Sequence, residues 1–185
     1  MNKGTITAFL ATTLLSIGLN AQTTPITNGI INWEGSKITT ESHAGTLNIS
    51  EGGLTFEADK LVGGSFTVDM NSMVCTDLSG KSAARLVGHL KSDDFFGVAE
   101  HPEATLIFTT VVPTDDGYNI TGDFTIRGIT NAETFELKID NNKVSTDLEI
   151  DRSKYNVKFR SGSFFENLGD KLINDELKLR VSFTY

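Results

Sequence analysis

The chain has 185 residues and is acidic, with 24 aspartates and glutamates against 16 lysines and arginines and a formal net charge of −8. This charge disfavours nucleic-acid binding, because an acidic surface repels phosphate backbones and no basic stripe is visible. A single cysteine, Cys75, excludes an intramolecular disulfide, so the stability of the fold must come from packing. Since no neighbouring feature suggests an activated thiolate, Cys75 is predicted to be a small buried residue and not a nucleophile.

The start of the chain has the pattern of a secretory signal peptide. Lys3 supplies the positive charge, an apolar run covers Ile6–Leu19, and a small-residue cleavage site ends at Ala21. The run is shorter than the roughly 20 apolar residues of a membrane span, which argues against an anchor. We expect residues 1–21 to be removed and residues 22–185 to form one domain of a periplasmic or secreted protein. No later segment is apolar enough to span a bilayer.

Alternation of apolar and polar residues with a period of two predicts β-strands along most of the remaining chain. In chain order these stretches are GLTFEAD, SFTVDMN, ATLIFTTVV, YNITGDFTI, TFELKID, VSTDLEI and LKLRVSFTY. Turn signals separate them at residues 51–53, 62–64 and 113–117 and at Asn141-Asn142. Strands joined by short turns are antiparallel, so we predict an antiparallel sheet.

Each predicted strand has one apolar face, and little helix is available to cover a sheet. Two architectures satisfy these conditions, a closed barrel and a sandwich of two sheets. About eight to nine strands are predicted, several of them long, and eight strands close around enough space for side chains or one small ligand. The sequence therefore favours an all-β fold, an extended antiparallel barrel, over a sandwich.

One segment, residues 77–100, interrupts the strand pattern. SGKSAARLVGHL contains good helix formers, with Ser79 or Ser82 as a possible cap and Leu86 and Leu90 four residues apart on one helical face. The stretch GHLKSDDFF follows, in which two aspartates precede two phenylalanines. We predict a short helix at one end of the barrel, followed by a segment that closes that end.

Motifs for catalysis are almost absent from the sequence. There is no Gly-x-Ser-x-Gly elbow, no phosphate-binding glycine loop and no His-Glu-x-x-His. His89 stands four residues before Asp93, which suggests an acid–base or metal pair if the helix continues, but a local hydrogen bond is the simpler interpretation. We therefore predict no enzymatic activity, no cofactor and no metal.

Five stretches of the chain resemble the YceI-like family, the polyisoprenoid-binding, lipocalin-like barrels of the bacterial envelope. They are WEGSKITTESHAGTL, GGSFTVDMNSM, LKSDDFFGVAEHPEATLIF, GDFTIRGIT and DRSKYNVKF, and they occur in the order that the family has. Departures are Gly97, Asn156 and His101, none of which is an apolar lining position. The resemblance implies a lipocalin-like barrel with a helix at one end and an elongated apolar lumen. It also implies binding of an isoprenoid or other long-chain amphiphile, homodimers in many members, and no catalytic residues.

We expect the inward side chains of the strands to line the lumen and contact the lipid. These lumen candidates are Phe56, Phe66, Val68, Met70, Phe108, Phe124, Ile126, Phe135, Leu137 and Phe183. Candidates for the head group or the closing segment are His43, Ser72, His89, Phe95 and Phe96. Phe95 and Phe96 are expected to turn inward and narrow the barrel end, while Asp93 and Asp94 stay in water.

Three functions remain open from the sequence. The first is a carrier that holds a long apolar lipid in the lumen. The second is an envelope stress-response or interaction module whose barrel is filled by its own side chains. The third is an envelope enzyme that uses His89 with Asp93.

Overall fold

A computed structural model describes residues 21–185. The predicted signal peptide lies outside the described residues, apart from Ala21. The strands are β1 (Gln22–Pro25), β2 (Thr27–Ser36), β3 (Ser42–Glu57), β4 (Lys60–Cys75), β5 (Glu103–Thr114), β6 (Gly117–Ile126), β7 (Ile129–Asp140), β8 (Lys143–Asp151) and β9 (Glu176–Thr184). One α-helix, α1 (Gly80–Lys91), joins β4 to β5, and short 3-10 helices cover Arg152–Tyr155 and Gly169–Lys171.

The strands β2 to β9 form a closed antiparallel barrel. Each pairs with its neighbour in sequence, and β2 pairs with β9 to complete the circle. The short strand β1 lies outside this circle and pairs with the end of β3, where Gln22 is opposite Phe56. The predicted eight-stranded barrel with one short helix is confirmed, and a sandwich is excluded because the sheet has no break.

The two ends of the barrel differ in their connections. At one end, which we call the hairpin end, tight turns join β3 to β4, β5 to β6 and β7 to β8. The predicted turn at Asn141-Asn142 is one of these, and both residues have positive φ, 47° and 64°, as a two-residue hairpin requires. The other end, which we call the helix end, carries α1 and the long segment between β8 and β9.

The predicted turns at residues 51–53 and 62–64 are wrong, because both glycine pairs lie inside strands β3 and β4. The actual turn is at Ala58-Asp59, where φ is 47° and 62°. A Cβ atom on Gly52 would lie 2.6 Å from Cδ1 of Phe66. Gly52 and Gly64 therefore leave space for the rings of Phe66 and Phe108 inside the barrel, a role that glycine also has in strands.

The hairpin end is filled by its own side chains. Leu54, Leu61, Ile120 and Val144 are at most 3% exposed and belong to one continuous apolar cluster. The ring of Tyr185 stacks on a second aromatic ring in the same cluster at 5.2 Å. None of these side chains borders the cavity in the other half of the barrel.

The helix end is covered more loosely. Ser79 is the N-cap residue of α1 but makes no side-chain capping hydrogen bond, and the helix ends after Lys91, where the Ser92 hydroxyl donates to the carbonyl oxygen of His89. None of the α1 side chains is fully buried. The helix therefore lies across the barrel opening and leaves its interior accessible.

Candidate ligand-binding cavity

A cavity of about 540 Å³ occupies the half of the barrel toward the helix end. Its walls are strand side chains that point inward, and its opening is bordered by α1 and the loops at that end. Leu86 and Leu90, the two helical leucines that the sequence placed on one face, both contact the cavity. Among the lumen candidates, all but Phe56 line it: Phe66, Val68, Met70, Phe108, Phe124, Ile126, Phe135, Leu137 and Phe183.

Four phenylalanines form the inner limit of the cavity, and we call them the aromatic floor. Phe66 lies 5.5 Å from Phe108 and 5.2 Å from Phe183, measured between ring centroids, and Phe108 lies 6.0 Å from Phe135. These separations are in the range of favourable aromatic pairs. Since the hairpin end behind the floor is filled, the cavity ends at these rings.

Two of the candidate residues lie outside the cavity. Phe56 stacks on Tyr185 at the hairpin end, because β3 continues beyond the aromatic floor and carries Phe56 past the hollow part. Ser72 lies in the wall between β3 and β4, where its hydroxyl accepts a hydrogen bond from the Asn48 amide at 2.8 Å and donates to the carbonyl of Asp69 at 2.6 Å. It holds a bulge in the sheet together and does not face the interior.

The closing segment has the arrangement that the sequence suggested. Phe95 is 6% exposed, Phe96 is half-buried, and both line the cavity, while Asp93 and Asp94 are exposed. The guanidinium of Arg127 donates to the carbonyl oxygen of Phe95 and holds this segment against the β6–β7 turn. The two rings therefore form part of the wall at the helix end.

His89 packs between aromatic rings and does not pair with Asp93. Its ring is 4.5 Å from Phe159 and 5.2 Å from Phe95, both edge-on, and its Nε2 lies 3.6 Å from the Asp94 carboxylate. The predicted four-residue spacing fails because α1 ends at Lys91, before Asp93. Within residues 21–185 no group of three or more His, Cys, Asp or Glu side chains could hold a metal ion.

A buried arginine anchors the segment between β8 and β9. Arg152 is 1% exposed, and its guanidinium donates to the carbonyls of Asn174, Val157 and Ile173 at 3.1, 2.8 and 3.0 Å. Its Nη2 lies 3.1 Å from a carboxylate oxygen of Asp175. Burial lowers the pKa of Arg152, and the Asp175 carboxylate opposes that shift. This network fixes the loop that borders the cavity opening.

His43, the other histidine candidate, lines the cavity and is tied to the β4–α1 connection. Its Nδ1 lies 2.8 Å from Asp77, which also accepts hydrogen bonds from the Ala44 amide at 3.0 Å and the Cys75 thiol at 3.1 Å. Partial burial opposes ionisation of Asp77, but these hydrogen bonds outweigh it and lower its pKa to about 2. Partial burial and the Asp77 carboxylate raise the pKa of the half-buried Cys75 thiol.

Several lining residues were not predicted from the sequence. Arg85 is four residues before His89, so extending the helical face that holds Leu86 and Leu90 would have found it. Trp33, Phe159 and Arg160 also line the cavity. For Arg160 there was no signal, because it lies in an irregular segment without periodicity.

A model of the YceI-like domain matches residues 23–185 of the chain. The chain belongs to the YceI-like family. Protein YceI of Escherichia coli O17:K52:H18 is 34% identical to it over 95 residues, which are 51% of this chain and 48% of that protein. The YceI-like chain thus spans about half the length of the curated relatives it matches.

Solved structures share the fold of this YceI-like chain at low sequence identity. BcnA of Burkholderia cenocepacia superimposes with a TM-score of 0.60 and 17% identity, covering 85% of this chain and 96% of that one. A polyisoprenoid-binding domain from Saccharophagus degradans gives a TM-score of 0.60 and 12% identity, covering 88% and 97%. Of the helices in residues 21–185, none has the length and apolar character needed to cross a membrane.

Proposed function

We propose that this protein binds and carries a long-chain apolar lipid, a polyisoprenoid or a fatty-acid-like amphiphile, in the cavity of its barrel. The observation that carries the proposal is the 540 Å³ cavity, whose walls are mostly apolar. Ligand cavities in proteins occupy about 300–1,000 Å³ and are mostly apolar. Membership of the YceI-like family and the fold shared with a polyisoprenoid-binding domain support the same class of ligand.

The volume of the cavity and the hydrophobic effect make such binding energetically reasonable. An engineered cavity of roughly 150 Å³ accommodates benzene, so on this scale 540 Å³ holds about 20 carbon atoms. Burial of that many methylene groups offers about 16 kcal/mol. Association and ordering remove about 4–15 kcal/mol. A micromolar complex needs a net of about 8 kcal/mol, which lies within this balance.

Among the three functions that the sequence left open, the carrier has the most support. A barrel filled entirely by its own side chains would contain no cavity of this size. In this protein only the hairpin half of the barrel is filled in that way. The enzyme hypothesis loses its proposed pair, since His89 does not contact Asp93. With the signal-peptide pattern at its start, we propose that the carrier works in the periplasm or outside the cell.

Lipid extraction and mass analysis of the protein purified from its own host test this function. We expect a co-purifying apolar molecule, and native mass spectrometry of the same sample reports the stoichiometry and any homodimer. A matched pair of variants locates the ligand. Ala104→Phe adds a ring inside the cavity, whereas Ala132→Phe adds the same ring on the exposed outer face of β7.

The cavity variant should lose most of the bound lipid, and the outer-face variant should retain it. A protein that contains no lipid and takes up no long-chain probe in solution would contradict the carrier function. Equal lipid content in the two variants would place the ligand outside the barrel.

A further inference from the structure

The residues around the cavity opening carry an excess of positive charge, although the chain as a whole has a net charge of −8. Four permanent cations, Lys37, Arg85, Arg152 and Arg160, line the cavity, against a single carboxylate, that of Glu41. This local excess is opposite in sign to the rest of the protein, so it is a feature of this opening and not of the overall composition.

Two of these cations are already engaged within the protein. The Arg152 guanidinium is buried and used by three carbonyls and Asp175. The ammonium group of Lys37 forms an ion pair with Glu41. The positive charges of Arg152 and Lys37 are therefore already compensated within the protein.

Arg85 and Arg160 are different. Within residues 21–185 neither guanidinium forms an ion pair with a carboxylate. Arg85 is exposed on α1, and Arg160 is half-buried with its guanidinium over the ring of Phe159 at 5.1 Å. Each has its donors available at the edge of an apolar cavity, where an arginine fork matches a carboxylate or phosphate.

The fold brings these two arginines to the same side of the opening. His89, one helical turn after Arg85, packs on Phe159 at 4.5 Å, and Phe159 directly precedes Arg160. Lys37 also lies near Arg160. It forms a β-bridge with Ile173, and the Ile173 amide donates to the carbonyl of Arg160 at 2.9 Å.

We propose that this opening binds an anionic head group, a carboxylate or phosphate, through Arg85 and Arg160, while the attached chain occupies the apolar cavity. The inference rests on the proposed lipid-carrier function and narrows it to acidic amphiphiles. The nearby carboxylates do not cancel the site, because Glu41 is paired with Lys37. Asp93 and Asp94 border the same surface as Arg160, but within residues 21–185 neither lies within 4.0 Å of the Arg85 or Arg160 guanidinium.

Three probes with the same chain and different head groups test this inference. Hexadecanoic acid, hexadecanol and hexadecanamide are each used to displace the neutral dye N-phenyl-1-naphthylamine from the purified protein. The test variant is Arg85→Gln/Arg160→Gln. Its control is Lys60→Gln/Lys143→Gln, which removes the same charge from two exposed lysines at the hairpin end. Circular dichroism verifies that both variants are folded.

We expect the acid to bind about tenfold more tightly than the alcohol or the amide, as hydrogen bonds between charged groups at a partly exposed site allow. The test variant should lose this preference, the control should keep it, and added salt should weaken binding of the acid alone.

Equal affinity for the three probes in the unmodified protein would refute the head-group site and leave the carrier function intact. A test variant that loses affinity for all three equally would also refute it, since the arginines would then act on the structure. Failure of every probe to displace the dye, or of the dye to bind, would overturn the carrier function itself.

Discussion

Replacement of the buried Arg152 by Met should destabilise the protein strongly. The methionine keeps an unbranched apolar side chain, but it leaves the carbonyls of Asn174, Val157 and Ile173 without their donor and the Asp175 carboxylate without its cation. Removal of one partner from a buried ion pair costs about 3–5 kcal/mol.

The lower part of that range applies here. Asp175 is 18% exposed and keeps hydrogen bonds from Ser161 and Ser163, each at 2.8 Å, so it is not left wholly uncompensated. We therefore expect the free energy of unfolding to fall by about 3 kcal/mol. Equilibrium unfolding in urea, followed by circular dichroism, measures this difference as a shift in midpoint at constant slope.

A matched control is available on the barrel surface. Arg180 forms an ion pair with Asp147 at 2.9 Å, but these side chains are 76% and 78% exposed, so Arg180→Met should change stability by about 0.5 kcal/mol or less. In addition, Arg152→Met/Asp175→Asn should be less destabilising than Arg152→Met alone, because the unpaired charge is gone. If Arg152→Met proved no more harmful than Arg180→Met, the buried network would not be what anchors the loop.

Three further changes test other parts of the structure. Asp77→Asn should remove about 1 kcal/mol of stability at neutral pH, because the folded pKa of about 2 lies below the ordinary 3.8 and the exposed part of the group reduces the effect. That contribution is present above pH 4 and is lost between about pH 4 and 2, so urea midpoints of the two proteins should converge on acidification. Gly52→Ala should cost about 1–3 kcal/mol by overpacking the ring of Phe66, again in urea. Phe96→Ala should speed release of a bound chain severalfold in stopped-flow dye displacement. An unchanged release rate would show that Phe96 does not help to retain the chain.

The sequence predicted the barrel because a period of two is a local property that the closed sheet preserves. Along β9, Leu177, Leu179, Val181 and Phe183 all face the cavity, as their alternation with polar residues indicated. Alternation defines the side of a sheet to which a residue points, but not its level along the barrel. Phe56 is the example, because it points inward and yet lies beyond the aromatic floor.

The sequence predictions fail for residues whose structural role depends on contacts with other strands or segments and not on their neighbours in sequence. Because glycine favours turns, the sequence predicts a turn at Gly52, whereas in the structure this residue leaves space for Phe66 on the neighbouring strand. Similarly, the cationic opening joins residues from α1 and from the irregular segment after β8. No pattern within either segment indicates the other, so Arg160 could only be found in three dimensions.

The division of the barrel into a filled half and a hollow half determines how a chain would be held. Along β9 the cavity extends from Leu177 to Phe183, which is about 20 Å along the strand and about 15 Å along the barrel axis at the usual tilt. An apolar tail that enters from the helix end stops at the aromatic floor, since Val144 and the other side chains behind it are closely packed. The head group of such a ligand would then remain at the opening, beside α1. Under the proposed function, a chain longer than the cavity would have to fold back or protrude, so chain length and head group would be selected at opposite ends of one cavity.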